Sequence, residues 1–274
     1  MSPLFKAAPT GGHQSIFQTG EQDIHWLGLE VLRLEKGETW DGSLEGEEAA
    51  FVLLSGRADI SVEAEKKEAW KNVGERGDIF NGASAAVYAP RNSTVKVKAL
   101  SKLEIAISKA PCEQDLPAVL IQPADVKVVS SGMANWRRDV RLIIPPGSPI
   151  SQRLIVGETL NPPGNWSGIP PHKHDQVTTG ENFLEEFYFF KTKPADSYGL
   201  QLMYKDGEGQ GHIVTNDDVT VMLNGYHPTV ASPGTTICYL WVLSGDVKDY
   251  GIVIDPRFNW VGTAESVLKE EQHS

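Results

Sequence analysis

Two histidines stand two residues apart in the segment Pro-Pro-His-Lys-His-Asp, as His172 and His174. On an extended strand, side chains two residues apart point to the same face, so both imidazoles would meet at one point. Glu186, in an apolar segment, and His227, after an Asn-Gly turn, would complete the set from two other strands. Zinc, manganese, iron and nickel all accept such a set of three imidazoles and one carboxylate. The sequence therefore predicts a divalent metal site in the second half of the chain.

A His-x-His pair alone is weak support for a metal site, because many chains carry one by chance. The pair gains weight here from a third histidine and a carboxylate that also lie on strand-like segments. Glu185 is next to Glu186 in the sequence, and the residues by themselves leave either carboxylate open as the ligand.

The composition is that of a globular protein, with 40% hydrophobic and 22% charged residues among 274. A net charge of −11 argues against a nucleic-acid partner, because phosphate binding needs a basic surface. No stretch approaches the roughly 20 apolar residues of a membrane span, and the N-terminus lacks the pattern of a secretion signal. Two cysteines in a chain of this size favour a reducing compartment, so we expect a cytoplasmic location.

Short apolar or alternating segments recur along the chain, and 26 Gly and 17 Pro supply turns between them. This pattern, without a helical period, is typical of an all-β barrel or sandwich. In residues 51–100, an apolar strand ending in Ser-Gly, a Gly-Asp turn, Tyr-Ala-Pro and an alternating strand follow one another, an order that resembles the cupin family. The second half repeats the strand pattern, so the resemblance implies a bicupin of two tandem jelly-roll β-barrels.

The predicted division of the chain has five parts. They are an N-terminal arm (1–23), a cupin-like barrel without a metal site (24–118), a connector (119–150), a metal-binding cupin barrel (151–262) and a charged tail, helical or frayed (263–274). The first barrel is expected to lack a metal because only His13 and His25 precede residue 150. The connector carries Arg137, Arg138 and Arg141. They are interpreted either as a solvated segment or as including one arginine that meets an anion or fixes the junction between the barrels.

The combination of motifs in the second half is specific. The sequences Pro-Pro-His-Lys-His-Asp, an acidic loop, Leu-Glu-Glu-Phe-Tyr-Phe-Phe and Gly-Tyr-His-Pro occur in this order. Together they resemble the 5-deoxy-glucuronate isomerases of myo-inositol catabolism, cupins related to 4-deoxy-5-ketouronate isomerase. Two departures from the general cupin pattern are the twelve-residue gap between His174 and Glu186 and the Asn-Gly turn before His227. The resemblance covers most of the chain.

The resemblance implies a carbohydrate-metabolism enzyme that converts 5-deoxy-D-glucuronate to 5-dehydro-2-deoxy-D-gluconate. It also implies a divalent metal (zinc, manganese, iron or nickel), no organic cofactor and a small sugar acid as the binding partner. The implied metal ligands are His172, His174, Glu186 and His227. Glu186 is chosen because the ligand carboxylate of cupins directly precedes an apolar and aromatic run, which turns Glu185 to the opposite face.

An aldose–ketose isomerisation removes a proton next to a carbonyl and leaves an enediolate, whose charge a metal stabilises while a base carries the proton. The sequence does not identify the base, and each candidate is equally explained by loop solvation or support of a ligand. The candidates for the base are Asp175, Glu185 and Tyr226. The candidates for contact with the substrate are Lys173, Arg153 and Tyr188.

Other functions share the same ligands. A cupin dioxygenase would use them to activate oxygen, and a non-catalytic cupin would use them to bind a sugar acid. A sugar-phosphate isomerase is a closer rival, but no phosphate-binding glycine-rich loop lies near the motifs. A metal-free first barrel would also offer an interface for a homo-oligomer.

Overall fold

The computed structural model describes residues 4–271, which form mainly β-strands. The strands of the first half are β1 (Leu4–Lys6), β2 (Gly12–Phe17), β3 (Gly28–Leu34), β4 (Thr39–Leu44), β5 (Glu47–Ser55), β6 (Ala58–Glu63), β7 (Lys67–Val73), β8 (Ala86–Ala89), β9 (Ser93–Ala99), β10 (Leu103–Pro111) and β11 (Val119–Ile121).

The strands of the second half are β12 (Lys127–Ser131), β13 (Arg138–Ile144), β14 (Ile155–Asn161), β15 (Trp166–Ser167), β16 (His172–Lys173), β17 (Leu184–Lys193), β18 (Tyr198–Lys205), β19 (Glu208–Thr215), β20 (Asp218–Met222), β21 (Thr229–Ala231), β22 (Thr236–Gly245) and β23 (Val253–Ile254). Short 3-10 helices span Pro123–Asp125, Ala134–Trp136 and Pro256–Phe258, and the α-helix α1 spans Trp260–Glu271. No helix within residues 4–271 is long and apolar enough to cross a membrane.

The strands assemble into two barrels of antiparallel sheets. In the first barrel, a six-stranded sheet (β11-β8-β5-β10-β3-β2) faces a four-stranded sheet (β4-β9-β6-β7). In the second, a seven-stranded sheet (β1-β20-β17-β22-β14-β13-β12) faces another four-stranded sheet (β15-β21-β18-β19), and β16 pairs with β23. The predictions of an all-β chain and of a bicupin are confirmed.

The segments predicted as arm and connector contribute strands to the sheets of both barrels. In the arm, β1 pairs with β20 of the second barrel, whereas β2 pairs with β3 of the first. In the connector, β11 joins the first barrel, and β12 and β13 join the second. Helix α1 begins at Trp260, three residues before the predicted tail, whose residues 272–274 lie outside the described residues, as do 1–3. Structural boundaries thus differ from the pattern breaks in the sequence.

The interior of the first barrel is filled with side chains. Strand β9 illustrates the pattern, because Val95 and Val97 are buried while Lys96 and Lys98 are exposed. Such alternation buries one face of each strand against the facing sheet. Leucine, isoleucine, valine and alanine side chains from both sheets of this barrel form one hydrophobic cluster.

The largest hydrophobic cluster lies between the barrels, where the two large sheets pack face to face. The six-stranded sheet contributes Phe17 and Val52, and the seven-stranded sheet contributes Phe187 and Phe189. The rings of Phe17 and Phe187 meet edge to face with centroids 5.7 Å apart. Strand β17 is therefore buried on both faces, which explains its nearly continuous apolar sequence.

Two buried carboxylates of opposite barrels fix this junction. Glu48 of β5 accepts the backbone N–H groups of Gln152, Arg153 and Leu154, at 2.7, 2.7 and 2.9 Å, just before β14 begins. Each hydrogen bond engages a backbone donor that would otherwise be buried without a partner.

A second buried carboxylate, Glu158 of β14, pairs with arginines on both sides of the junction. Arg76 of the first barrel donates to its two oxygens at 2.5 and 2.9 Å, and Arg141 donates at 3.1 Å. Arg141 also donates to the backbone oxygen of Ile79 at 2.7 Å. Arg141 thus takes the junction position that one interpretation of the arginine-rich connector anticipated.

Candidate metal centre

Strand β17 positions one of its two adjacent glutamates inside the second barrel. Its odd residues Phe187 and Phe189 belong to the cluster between the barrels, whereas Tyr188 and Phe190 belong to the cluster inside the second barrel. Because side chains alternate along a strand, Glu186 lies on the inner face with Tyr188. It is 4% exposed and lines the cavity of this barrel.

Two histidines meet Glu186 at this point. The Nε2 atoms of His174 and His227 each lie 3.1 Å from the same oxygen, Oε2 of Glu186. All three side chains are buried, and their ligand atoms lie within 4.8 Å of one another. We call these three residues the His–Glu–His cluster.

The hydrogen bonds of the two imidazoles fix their tautomers, and so decide which ring nitrogen presents a lone pair to Glu186. Nδ1 of His174 lies 2.6 Å from the backbone oxygen of Leu184, and Nδ1 of His227 lies 3.0 Å from that of Gly225. A carbonyl oxygen only accepts, so each Nδ1 carries the proton. Both Nε2 lone pairs then point toward a carboxylate, and Nε2 of His227 makes no hydrogen bond with the described residues. This donor set needs a cation, or a proton, at its centre.

The charge balance of the cluster agrees with this requirement. Burial disfavours the charged form of Glu186, but the adjacent imidazoles of His174 and His227 outweigh it and lower the pKa of Glu186 to about 2. Burial also opposes a charge on His174, yet the bond to Glu186 raises the pKa of His174. Both shifts favour a positive charge between His174 and Glu186, which either a proton or a bound metal ion would supply.

His172 lies beside the cluster rather than within it. Its ring centroid is 5.1 Å from that of His227 and 6.4 Å from that of His174. Its Nε2 atom is 3.2 Å from the hydroxyl oxygen of Tyr250. Burial, followed by repulsion from His227, lowers the pKa of His172 to about 3, so the imidazole is neutral and able to bind a metal.

Glu185 lies on the opposite face of β17. Its carboxylate accepts the backbone N–H groups of His25 and Trp26 at 2.7 and 2.8 Å, and its side chain is fully buried at the junction between the barrels. It is the counterpart of Glu48, since each carboxylate accepts backbone donors of the other barrel. Burial raises the pKa of Glu185. The structure therefore separates Glu185 from the cavity.

Asp175 and Lys173, two other predicted site residues, belong to an ion network outside the cavity. Asp175 lies 2.6 Å from Nζ of Lys173 and 2.8 Å from Nζ of Lys205, and it accepts the N–H of Gly225 at 2.9 Å. Lys173 also donates to Glu181 at 2.7 Å. This network joins the His-x-His segment to the turn that carries His227.

Arg153 and Tyr226 are also turned away from the cavity. The Arg153 guanidinium donates to the backbone oxygens of Gly245 and Asp246 at 3.0 and 2.8 Å. Tyr226 stacks on Tyr204 with ring centroids 5.2 Å apart. Among the predicted contact residues, Tyr188 lines the cavity.

The cavity beside the cluster has a volume of about 270 Å³. This lies just below the range of roughly 300–1,000 Å³ for drug-sized ligands, which suits a small molecule. Its lining residues are Arg138, Val140, Leu142, Pro146, Ile155, Thr159, Ser167, Gly168, His172, Glu186, Tyr188, Tyr239, Trp241, Leu243 and Tyr250. Sequence reasoning missed Tyr250, which lies in a loop 78 residues from its partner His172. It included Arg138 only as one of three connector arginines.

Comparison with known proteins gives a consistent family. The family model described as KduI/IolB matches residues 4–261. The chain is 36% identical over 264 residues to a 5-deoxy-glucuronate isomerase of Geobacillus kaustophilus, covering 94% of both chains. It is 37% identical over 250 residues to that of Geobacillus thermodenitrificans, covering 90% of both.

Solved structures agree with this assignment. An IolB-like protein from Salmonella typhimurium superimposes with a TM-score of 0.90 at 28% identity, covering 94% of this chain and 98% of that one. An oxalate decarboxylase of Lactobacillus farciminis superimposes with a TM-score of 0.65 at 11% identity, covering 98% and 90%, which shows a shared fold alone. The prediction of an enzyme of the isomerase class is confirmed by the curated relatives. The chain belongs to the KduI/IolB family.

Proposed function

We propose that this chain isomerises 5-deoxy-D-glucuronate to 5-dehydro-2-deoxy-D-gluconate, a step of myo-inositol catabolism, with a divalent cation in the His–Glu–His cluster. One observation carries the proposal: two buried imidazoles present Nε2 lone pairs to a single carboxylate oxygen. Curated relatives named 5-deoxy-glucuronate isomerase support the substrate.

His174, Glu186 and His227 would hold the cation, with His172 as the fourth ligand from the adjacent strand. Zinc, manganese, iron and nickel all suit this set. When bound, a divalent cation supplies Lewis-acid stabilisation of negative charge on the sugar oxygens. Backbone carbonyls hold the Nδ1 atoms of two ligands, which orients both rings before any cation binds.

The side chains of the cavity then have separate tasks. The isomerisation moves one proton between adjacent carbons and one between the oxygens they carry, with no net gain or loss of atoms. Val140, Leu142 and Leu243 give the cavity apolar walls, which limit the water around the reacting carbons. Tyr188 and Tyr250 bring hydroxyl groups to the same cavity.

Tyr250 takes the place of the predicted bases as the candidate for proton transfer at oxygen. Asp175, Glu185 and Tyr226 are not among the residues that line the cavity, whereas Tyr250 lines it and its hydroxyl lies 3.2 Å from Nε2 of His172. A phenol is protonated at neutral pH and can donate to a substrate oxygen that gains charge.

Tyr250→Phe should lower kcat by about 10²-fold or more, the lower end of what general acid–base catalysis contributes. Metal content should be unchanged, since the phenol is outside the His–Glu–His cluster. Steady-state kinetics with metal analysis checks both values, and Tyr198→Phe, on the exposed start of β18, is the matched control. A Tyr250→Phe variant with full kcat would exclude this role.

Proton NMR without oxygen tests the proposed reaction. Purified protein is mixed with 5-deoxy-D-glucuronate before chelation, after chelation and after return of the metal. We expect the aldehyde and hydrate signals to give way to those of the ketose, to persist after chelation, and to be lost again once metal is restored. Unchanged substrate with metal-replete protein would contradict the proposed substrate. Turnover that begins only after oxygen is admitted would indicate a dioxygenase.

A further inference from the structure

Among the described residues, one cationic side chain lines the cavity without a carboxylate at ion-pair distance. Arg138, the first residue of β13, is the one lysine or arginine among the residues that line the cavity in the described chain. Within residues 4–271 its guanidinium makes one hydrogen bond, from Nη1 to the backbone oxygen of Trp136 at 3.2 Å. Because a guanidinium carries five N–H donors, most of its capacity remains available for an anion.

The two neighbouring arginines of the connector, unlike Arg138, each lie near a carboxylate. Arg137, which is exposed, lies 3.4 Å from Asp139, and Arg141 lies 3.1 Å from Glu158. No carboxylate within residues 4–271 lies at ion-pair distance from Arg138, although Glu265 attracts it from farther away. Burial lowers the pKa of Arg138, which reflects the cost of a partly buried cation without a close counter-charge.

The backbone at Gly132 leaves room for the Arg138 side chain. Gly132 has a φ of +78°, and a Cβ atom added there would lie 2.8 Å from Nη1 of Arg138 and 2.2 Å from the backbone oxygen of Trp136. The absence of a side chain at Gly132 thus leaves the space that the guanidinium and its acceptor occupy. The arginine is held in place, and no carboxylate of residues 4–271 lies at ion-pair distance from its charge.

Arg138 and the carboxylate of the His–Glu–His cluster line the same cavity. Arg138 and Glu186 line the same space of about 270 Å³, together with Tyr188, Tyr239 and Tyr250. Burial raises the pKa values of all three phenols, and the positive charge of Arg138 opposes that rise. A small molecule that reaches Glu186 therefore meets a positive group in the same cavity.

We propose that Arg138 binds the carboxylate of a sugar-acid substrate and so selects uronates over neutral sugars at this site. The proposal rests on the proposed function for the identity of the reacting end. Planar guanidinium groups bind carboxylates through two parallel hydrogen bonds, which also fix orientation. With the carboxylate on Arg138, the carbonyl end of the sugar faces the His–Glu–His cluster.

Binding of an acid and its neutral amide tests the proposal directly. Titration calorimetry of the metal-replete enzyme compares D-glucuronate with D-glucuronamide, which differ in the charge at one carbon. We expect the wild-type protein to prefer the acid at least tenfold, and Arg138→Gln to lose the preference. Arg138→Lys should retain part of it, because it keeps the charge without the planar fork. Arg137→Gln is the matched control and should behave as wild type.

Several results would overturn the proposal. They are equal binding of the two ligands by the wild-type protein, binding of neither, or a preference that survives in Arg138→Gln. If Arg138→Gln fails to fold, the comparison of acid and amide in the wild type and in Arg138→Lys still decides. Failure of the proposed function is separate, since an enzyme that does not isomerise 5-deoxy-D-glucuronate can still discriminate acid from amide through Arg138.

Discussion

At the scale of single residues, two adjacent glutamates have opposite tasks because a strand alternates its faces. Glu186 faces two imidazoles inside the barrel, whereas Glu185 accepts two backbone N–H groups between the barrels. The sequence indicates this division, since Glu186 shares its parity with Tyr188 and Phe190. The backbone partners of Glu185 come from residues 160 and 159 positions away, and no local pattern could indicate them.

Glutamine at each position should therefore have a different effect. Glu186→Gln should remove most of the metal, because an amide lacks the charge that the cation needs. It should also lower the thermal stability of the metal-free protein, because the lowered pKa of Glu186 means that its carboxylate is favoured in the folded state. Glu185→Gln should keep the metal and lose about 1–3 kcal/mol of unfolding free energy, since an amide replaces one of two acceptor oxygens.

Metal analysis and chemical unfolding of both variants measure these effects side by side. Each variant serves as the control of the other, because the substitutions are identical and the positions adjacent. Loss of metal from Glu185→Gln with retention by Glu186→Gln would reverse the assignment of the ligand.

The arginine at position 138 and the tyrosine at position 250 show what residue types alone cannot reveal. The cavity is formed by side chains from β13, β14, β17 and β22 together with the loop that carries Tyr250. Which of the connector arginines faces it depends on the register of β13 against β14, including an irregularity near Leu142. That register is a tertiary property, so the sequence left the three arginines equivalent.

At the scale of elements, an ion network connects the two segments that carry the histidines. Asp175 follows His174 and accepts the N–H of Gly225, two residues before His227. Lys173 and Lys205 balance its charge. These residues support the positions of the ligands without entering the cavity, a role that the sequence could not separate from catalysis because the residues are next to the motif.

Asp175→Asn should weaken metal binding by about 10–100-fold, as expected for loss of support behind the ligands. The turn at Gly225 would lose a charged acceptor, and two lysines would lose their shared partner. Competitive titration with a chromophoric chelator measures the affinity. Asp196→Asn, at an exposed position after β17, is the matched control. Unchanged affinity in Asp175→Asn would show that the turn holds His227 by itself.

At the scale of the whole molecule, the junction between the barrels holds the largest hydrophobic cluster of the described residues. The sequence predicted two barrels. It did not predict that β1 of the arm would cross to the second barrel, or that Glu48 and Glu185 would each accept donors of the opposite barrel. Such contacts depend on how complete sheets face each other, which strand periodicity does not encode.

Lys248 gives the second barrel a pH-dependent stability. Its ammonium donates to Ser148 and Ser151 without an ion pair among the described residues, and burial lowers its pKa to about 8. The unfolded chain holds this proton up to its ordinary pKa of about 10.4, so between these two values the unfolded state binds more protons. Stability should therefore rise with pH in that window, by at most about 1.4 kcal/mol per pH unit.

Unfolding by denaturant at pH 7.5 and pH 9.5 measures this effect in the wild type and in Lys248→Met. The rise from this residue should be absent in the variant, and the difference between the two proteins isolates it from other titrating groups. Lys102→Met is the control at an exposed position. Identical pH dependence in Lys248→Met and wild type would refute the prediction.

The central claim is that the His–Glu–His cluster binds a divalent cation, and anomalous diffraction from crystals grown with Mn²⁺ or Zn²⁺ tests it most directly. We expect one strong anomalous peak in each chain, in contact with Nε2 of His174, Nε2 of His227 and a carboxylate oxygen of Glu186, with His172 as the fourth ligand. A cluster without a peak at saturating metal, or a peak only at other residues, would contradict the claim.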